Sequence, residues 1–283
     1  MRDASPRALM WRQFRRHRVA VVSLLAFALI AAACAAAPWV APYPFDAIDL
    51  ASVRQAPSLH HWMGTDDLGR DVFTRMLFGG RVSILIGLLA AAVGASLGTA
   101  VGAAAGFHGG LVDNVLMRVT DVAYAIPTLP LLIILSSFSH AAVTSMVLII
   151  GFLSWMATAR VVRSQVLSLK EMEYVEAARS MGASNLRILA RHIVPNALGP
   201  IIVGATLGVG TAITIESSLS FLGLGVQPPT PTWGNMLMDS LATKGTRPWL
   251  TLFPGLAILV VVLAANFIGD ALHDTLDPTV RSS

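Results

Sequence analysis

The sequence predicts an all-α, polytopic membrane protein with six transmembrane helices, on three observations: an apolar composition, a set of long uncharged runs, and a lopsided distribution of arginine. Of 283 residues, 55% are hydrophobic and only 13% are charged, against roughly a quarter charged in an ordinary soluble domain. Runs free of Asp, Glu, Lys, Arg and His cover residues 82–107, 122–139, 141–159, 193–215 and 248–269, and an earlier apolar run begins at Val19. A helix needs about 20 apolar residues to cross the hydrocarbon of a bilayer, so each run is read as one crossing.

Lys and Arg concentrate on the cytoplasmic side of a membrane. Arg2, Arg7, Arg12, Arg15, Arg16 and Arg18 precede the first run, which makes residues 1–18 a cytoplasmic tail; six crossings then return the C-terminal tail, 277–283, to the same side. Under that topology 14 of the 20 Lys and Arg residues lie inside. The net charge of +4 is therefore a signal of topology, and nucleic acid is not an expected partner.

Taken in order, residues 19–40 are expected to be an uncleaved anchor helix. Ala35, Ala36 and Ala37 after an Arg-rich start resemble a signal-peptide cleavage site, but Pro38 follows directly and the run is long for a signal core. Cys34 is the single cysteine and has Ala31 where a lipoprotein signal wants a large aliphatic residue, so it is read as a small packing residue. Residues 41–78 form the longest outer loop, ending in GTDDLGRDVFTRMLF. Thr65 or Asp66 is expected to cap a short helix on the outer membrane surface, with Leu68, Val72, Met76 and Leu77 on its apolar face and Asp67, Arg70, Asp71 and Arg75 in water. Asp66, Asp67 and Asp71 are weighed as a metal site and read instead as a solvated helix start.

The second span carries Gly94, Gly98, Gly102 and Gly106 at strict four-residue spacing, with Ala90 in register. Such a ladder clears one helix face, so a neighbour can approach to backbone contact within the bundle or from a second subunit. It is no phosphate loop, since its register is helical and no basic residue follows. Arg118 falls in the short inner loop before the third span, and His140 separates the third span from the fourth.

Missing chemistry narrows the function. No Asp, Glu, Lys or Arg lies at midplane depth; Glu216, counted at about 1.5 Å per residue from Pro195, falls near the outer boundary. Proton-coupled carriers keep such groups inside the membrane, and six spans are half the usual twelve-span carrier, so a secondary carrier is disfavoured. There is no GxxxxGK[ST] loop, and neither Lys170 nor Lys244 has the glycine context that cradles a phosphate. Any ATPase must be another chain. His17, His60, His61, His108, His140, His192 and His273 show no metal-binding spacing, so no catalytic residue, metal or cofactor is expected on this chain.

Between the fourth and fifth spans stands a polar island, EYVEAARSMGASNLRILARHIVPN, from Glu173 to Asn196. Tyr174, Ala177, Ala178 and Met181 recur at helical spacing as an apolar face, with Glu173 and Glu176 on the polar side. Gly182 stops this helix and Ser184 is expected to cap a second one, striped by Leu186, Leu189, Ala190 and Ile193, with Arg187 and Arg191 facing away. Pro195 opens the fifth span, where a missing N–H costs little. Two short helices hinged at a glycine and fused to a span can carry a push into the membrane, and a purely structural or sensory subunit could recruit a partner through the same island. The fifth span and its extension hold Thr206, Thr211, Thr214, Glu216, Ser217, Ser218 and Ser220. These either line a translocation path or bond to carbonyls of their own helix.

At the island the chain resembles a known family. Glu176-Ala177-Ala178, then Gly182, then Pro195 thirteen residues on, are similar to the EAA motif of ABC importer membrane subunits, with Val194 where the motif has leucine. Residues 63–83, 216–237, 248–258 and 266–278 further resemble the C-type permease of the dipeptide, oligopeptide and nickel importers. The resemblance implies a type I ABC importer permease fold in the cell inner membrane, with a five-helix core over 79–276 and a coupling elbow at 170–195. Tyr174, Glu176, Ala177, Ala178 and Met181 would dock on an ATPase, Gly182 would act as hinge, and Pro195 would pass the movement on. It also implies a homologous B-type permease as partner, two ATPase subunits that hold ATP and Mg, and a substrate-binding protein outside. Dipeptides or short oligopeptides are the expected cargo, with nickel chelates or glutathione as alternatives.

Overall fold

The computed structural model describes residues 14–15, 17–139, 142–243 and 245–276. Arg2, Arg7, Arg12, Arg16, His140, Lys244 and the tail 277–283 lie outside the described residues.

Helix α1, Arg18–Ala35, is apolar on every side and buries only Ala20, Ser23 and Cys34. It leans on α2, Val72–His108, and on α10, Pro248–Leu276. Cys34 closes that contact, packed in one cluster with Ile84, Ala91 and Trp233. At 37 residues, and about 1.5 Å per residue, α2 is far longer than the hydrocarbon is thick and runs through the whole molecule. It touches α1, the helices over Val143–Phe152 and Trp155–Leu169, and the helix that ends at Phe221, so it is the post around which the other spans are arranged.

Helices α3, Gly110–Ala125, and α4, Thr128–Phe138, meet at 84°; α5, Val143–Phe152, and α6, Trp155–Leu169, meet at 44°. Among the described residues, four helices are long and apolar enough to cross a membrane, α1, α2, α8 (Asn185–Phe221) and α10, or up to six crossings if each bent pair counts as one. The third span expected over 122–139 is broken by the sharper bend. Pro127 has no N–H to donate, and Ile126 before it takes extended backbone, which ends α3 there. Arg118 is likewise not in a loop but inside α3.

The outer segment also differs from expectation. Thr65 and Asp66 cap nothing; Asp71 caps α2 itself, accepting from the Thr74 N–H at 2.8 Å, and the helix is continuous from Val72 into the membrane. Arg70, Asp71 and Arg75 do not face water but are buried, as is Asp66. The Asp66 carboxylate accepts from Arg70 Nε at 2.6 Å and from two backbone N–H groups, while Arg70 and Arg75 approach Asp239 at 3.5 and 3.7 Å. Asp239 belongs to α9, Trp233–Ser240, which folds back over the start of α2 and shuts these charges away from solvent. Burial holds the Asp239 carboxyl above the usual carboxylate range, against the opposing pull of Arg75 and Arg70. The carboxylates are engaged as ion-pair partners and caps, and among the described residues no His, Cys, Asp or Glu group is placed to hold a metal.

Candidate functional site: the elbow and the cavity beside it

Helix α7, Glu173–Ser180, presents two different faces. Val175 and Ala178 are buried in a cluster with Val162 and Val166 of α6 and Ile188 and Ile193 of α8. Tyr174, Glu176, Ala177 and Met181 point outward, Met181 being 81% exposed. The apolar face expected from Tyr174, Ala177, Ala178 and Met181 is therefore split. Ala178 joins Val175 three residues before it on the inner side, and the other three stay accessible.

The end of α7 is built by backbone bonds. Ala183 N–H donates to the Ala178 carbonyl at 3.1 Å and Gly182 N–H to Arg179 at 3.0 Å, the pair of bonds that closes a helix on a left-handed residue. Gly182 supplies that residue with φ at +80°. Ser184 stands at the next N-cap position, but its side chain makes no cap bond.

Beyond Ser184 the chain does not form one regular helix. After a single α turn, Leu189–Ile193 is π-helical and Val194–Ala197 is 3₁₀, before regular α geometry resumes at Leu198. The wide turn shifts the register, so Ile188 and Ile193 take the buried positions, while Leu186, expected in the stripe, is 76% exposed and Ala190 is exposed as well. The change of pitch also accommodates Pro195 inside a continuous helical path. Val194 N–H reaches back to Leu189, and the Asn196 side-chain amide donates to the His192 carbonyl at 2.6 Å. The same amide contacts the Tyr174 hydroxyl at 3.5 Å and so touches α7 as well.

The glycine ladder fastens the elbow to the post. Gly98 lies against Thr158 and the Trp155 carbonyl, both 2.6 Å from where a Cβ would stand; Gly102 lies against Ala159 and Arg163, and Gly106 against Arg163 and Val166. Gly94 faces Gly151 and Ser154 at the bend between α5 and α6. All four glycines thus meet the α5 and α6 arm of the same chain. Lys170 Nζ donates to the Gly106 carbonyl at 3.2 Å, and Arg163 grips Asp113 of α3 through two bonds of 2.5 and 2.6 Å.

Of the polar residues in α8, Thr206, Thr211, Thr214 and Ser218 donate to carbonyls four residues earlier, at 2.8 to 3.3 Å. Glu216, Ser217 and Ser220 are buried where α8 meets α2 and α9. Ser83 and Ser220 donate to the Glu216 carboxylate at 3.0 and 2.7 Å, and the Trp233 N–H reaches Ser83 at 3.3 Å. This cluster ties three helices together. The open space lies on another face of α8, a cavity of about 710 Å³ bounded by Gly204, Gly208, Thr211 and Ile215, by Ser154 and Thr158, and by the α3–α4 bend at Tyr124 and Pro127. Thr211 alone of those seven polar residues lines it. The six expected spans do not include the α3–α4 bend; Pro127 in mid-run is a signal in the sequence that points to it.

Comparison with known proteins gives a consistent result. Residues 98–282 match the family described as binding-protein-dependent transport system inner membrane component, and residues 5–57 match the N-terminal TM domain of oligopeptide transport permease C. The chain is 41% identical over 272 residues to the glutathione transport system permease protein GsiD of Escherichia coli strain 536, covering 96% of this chain and 90% of that protein. The same protein of Shigella sonnei matches to the same extent. The oligopeptide transport system permease protein OppC of Bacillus subtilis strain 168 is 40% identical over 269 residues, covering 95% and 88%.

Proposed function

The chain belongs to the family of binding-protein-dependent transport system inner membrane components, as a multi-pass permease subunit of an ABC importer, and we propose that its cargo is dipeptides or short oligopeptides. It works with a homologous permease, two ATPase subunits that hold ATP and Mg, and an extracytoplasmic binding protein. Both termini and the elbow face the cytoplasm. The chain itself contributes shape and motion, and the ATP chemistry resides on its partners.

The observation that carries this reading is the join between an exposed helix edge and a span. Tyr174, Glu176, Ala177 and Met181 form an accessible edge, while Val175 and Ala178 behind it share a core with α6 and α8. A partner that grips the edge of α7 must move α6 and the base of α8 with it, and both helices line the cavity. ATP-driven closure of the ATPase pair thereby changes which side of the membrane the cavity faces, as a shift between two pre-existing states. An uncharged lining suits cargo that varies in side chain but shares a polar backbone.

Uptake of labelled dipeptide by cells lacking the gene, with and without it restored, tests the reading, with longer peptide, glutathione and nickel as competitors. Uptake that needs the gene and ATP and is competed by peptides supports it. Uptake that survives loss of ATP but collapses with the proton gradient overturns it. Glutathione is the second reading, favoured by the glutathione transport for which the GsiD relatives are named, and it would then compete best.

A further inference from the structure

Asp121 and Arg160 have no task in the coupling scheme, and their setting is unusual. Arg160 Nη2 donates to Asp121 Oδ1 at 2.8 Å, with the two side chains 53% exposed at Asp121 and 43% at Arg160. The Arg160 guanidinium also lies 4.5 Å from the centre of the Tyr124 ring, and Tyr124 lines the cavity.

Depth makes the exposure informative. Thr158 and Ala159, the neighbours of Arg160, pack on Gly98 and Gly102 of α2. The uncharged stretch of α2 ends at Phe107, so this level lies roughly 10 Å inside it at about 1.5 Å per residue. A charged pair presented at that depth does not face acyl chains; such groups line water-filled space or meet protein. Asp113 and Arg163, nearer the elbow, already hold α3 to α6 through a bidentate pair on a well-covered aspartate. The outer pair is single-point and open, and among the described residues the cavity lining has no charge of its own.

We propose that Asp121 and Arg160 form a dipolar site at the elbow-side mouth of the cavity, which takes the two termini of a zwitterionic peptide: the carboxylate on Arg160, the ammonium on Asp121, with Tyr124 as the platform beneath. An exposed ion pair is worth no more than about 1 kcal/mol, so cargo can open it and leave again, which a buried pair would not allow. This inference rests on the peptide reading above.

The complete transporter, reconstituted in proteoliposomes with its binding protein, is supplied with labelled dialanine, its C-terminal amide or its N-acetyl form. Because one binding protein serves every arm, comparing variant with wild type cancels its selectivity. Arg160→Gln is expected to cut the dialanine-to-amide uptake ratio by about tenfold, the worth of one hydrogen bond to a charged group, and Asp121→Asn the dialanine-to-acetyl ratio likewise. Equal loss for all three cargoes would mean the pair only braces α3 against α6, and unchanged uptake of all three would mean it has no part in transport; both overturn the proposal. If the wild type imports none of the three, the peptide reading fails first and the site falls with it, whereas normal wild-type uptake with unaltered ratios removes the site alone.

Discussion

Gly182 is held by backbone conformation and not by crowding, since nothing lies within 4 Å of where its Cβ would stand and φ is +80°. A β-branched residue in that region costs about 1–3 kcal/mol, whereas asparagine tolerates it well. Gly182→Val is therefore expected to abolish peptide uptake while the subunit still reaches the membrane in normal amount, and Gly182→Asn to retain most of it; equal uptake by the two would show that the turn does not transmit motion. Glu216 belongs to a different kind of site. Its carboxylate is buried under hydroxyl donors from Ser83 and Ser220, so Glu216→Leu leaves those donors unpaired at about 1–3 kcal/mol each. We expect this variant to lower the thermal midpoint of the purified complex and Glu216→Gln to preserve most of it. Loss of uptake by Glu216→Leu at an unchanged midpoint would instead argue that Glu216 touches cargo. Ala178 illustrates what local spacing leaves open at this scale: positions 174, 177, 178 and 181 share a broad helix face, and only the seat of Val175 against α6 shows which edge turns inward.

At the scale of elements, the contact of α2 with α6 depends on missing side chains. Gly98→Leu would drive a branched chain into Thr158 and the Trp155 carbonyl, both within 2.6 Å of its first carbon, and backbone atoms cannot yield as a side chain tip can. Overpacking of this kind costs about 1–3 kcal/mol or more, so the variant should show lower subunit abundance and a lower thermal midpoint, whereas Gly199→Ala, with Leu276 no nearer than 3.6 Å, should be neutral by both measures. The ladder is legible in the sequence because its period is local, as are α1, α2, α8 and α10, whose apolar runs are unbroken. Helix α3 is not. It carries Asp113, Arg118 and Asp121, which read as a loop until the partners Arg163 and Arg160 appear 50 and 39 residues away. The outer charges mislead for the same reason, since Arg70 and Arg75 look solvated until α9 brings Asp239 over them. In the elbow, Ile193 is buried as its spacing predicts, but Ile188 five residues before it takes the place expected of Leu186 and Ala190, a separation set by the π-helical turn and absent from a 3.6-residue pattern.

For the whole molecule, orientation decides whether the proposed mechanism is possible, because it has the ATPases and the binding protein meet opposite ends of the same bundle. Two exposed residues mark those ends. Met181 lies at the end of α7, and Leu59, 94% exposed, lies in the loop before α2. The single native thiol, Cys34, is buried among Ile84, Ala91 and Trp233, and burial in that apolar setting keeps it from an aqueous reagent. New cysteines at the two marks therefore report without background. Leu59→Cys is expected to react with a membrane-impermeant maleimide added outside cells whose outer barrier is opened, and Met181→Cys only after the inner membrane is breached. Adding the purified ATPase pair to inverted vesicles should then protect Met181→Cys, because the proposed docking would bury the same edge of α7. Reaction of Met181→Cys from the outside would reverse the bundle, turn the elbow away from any source of ATP, and remove the physical basis for coupling.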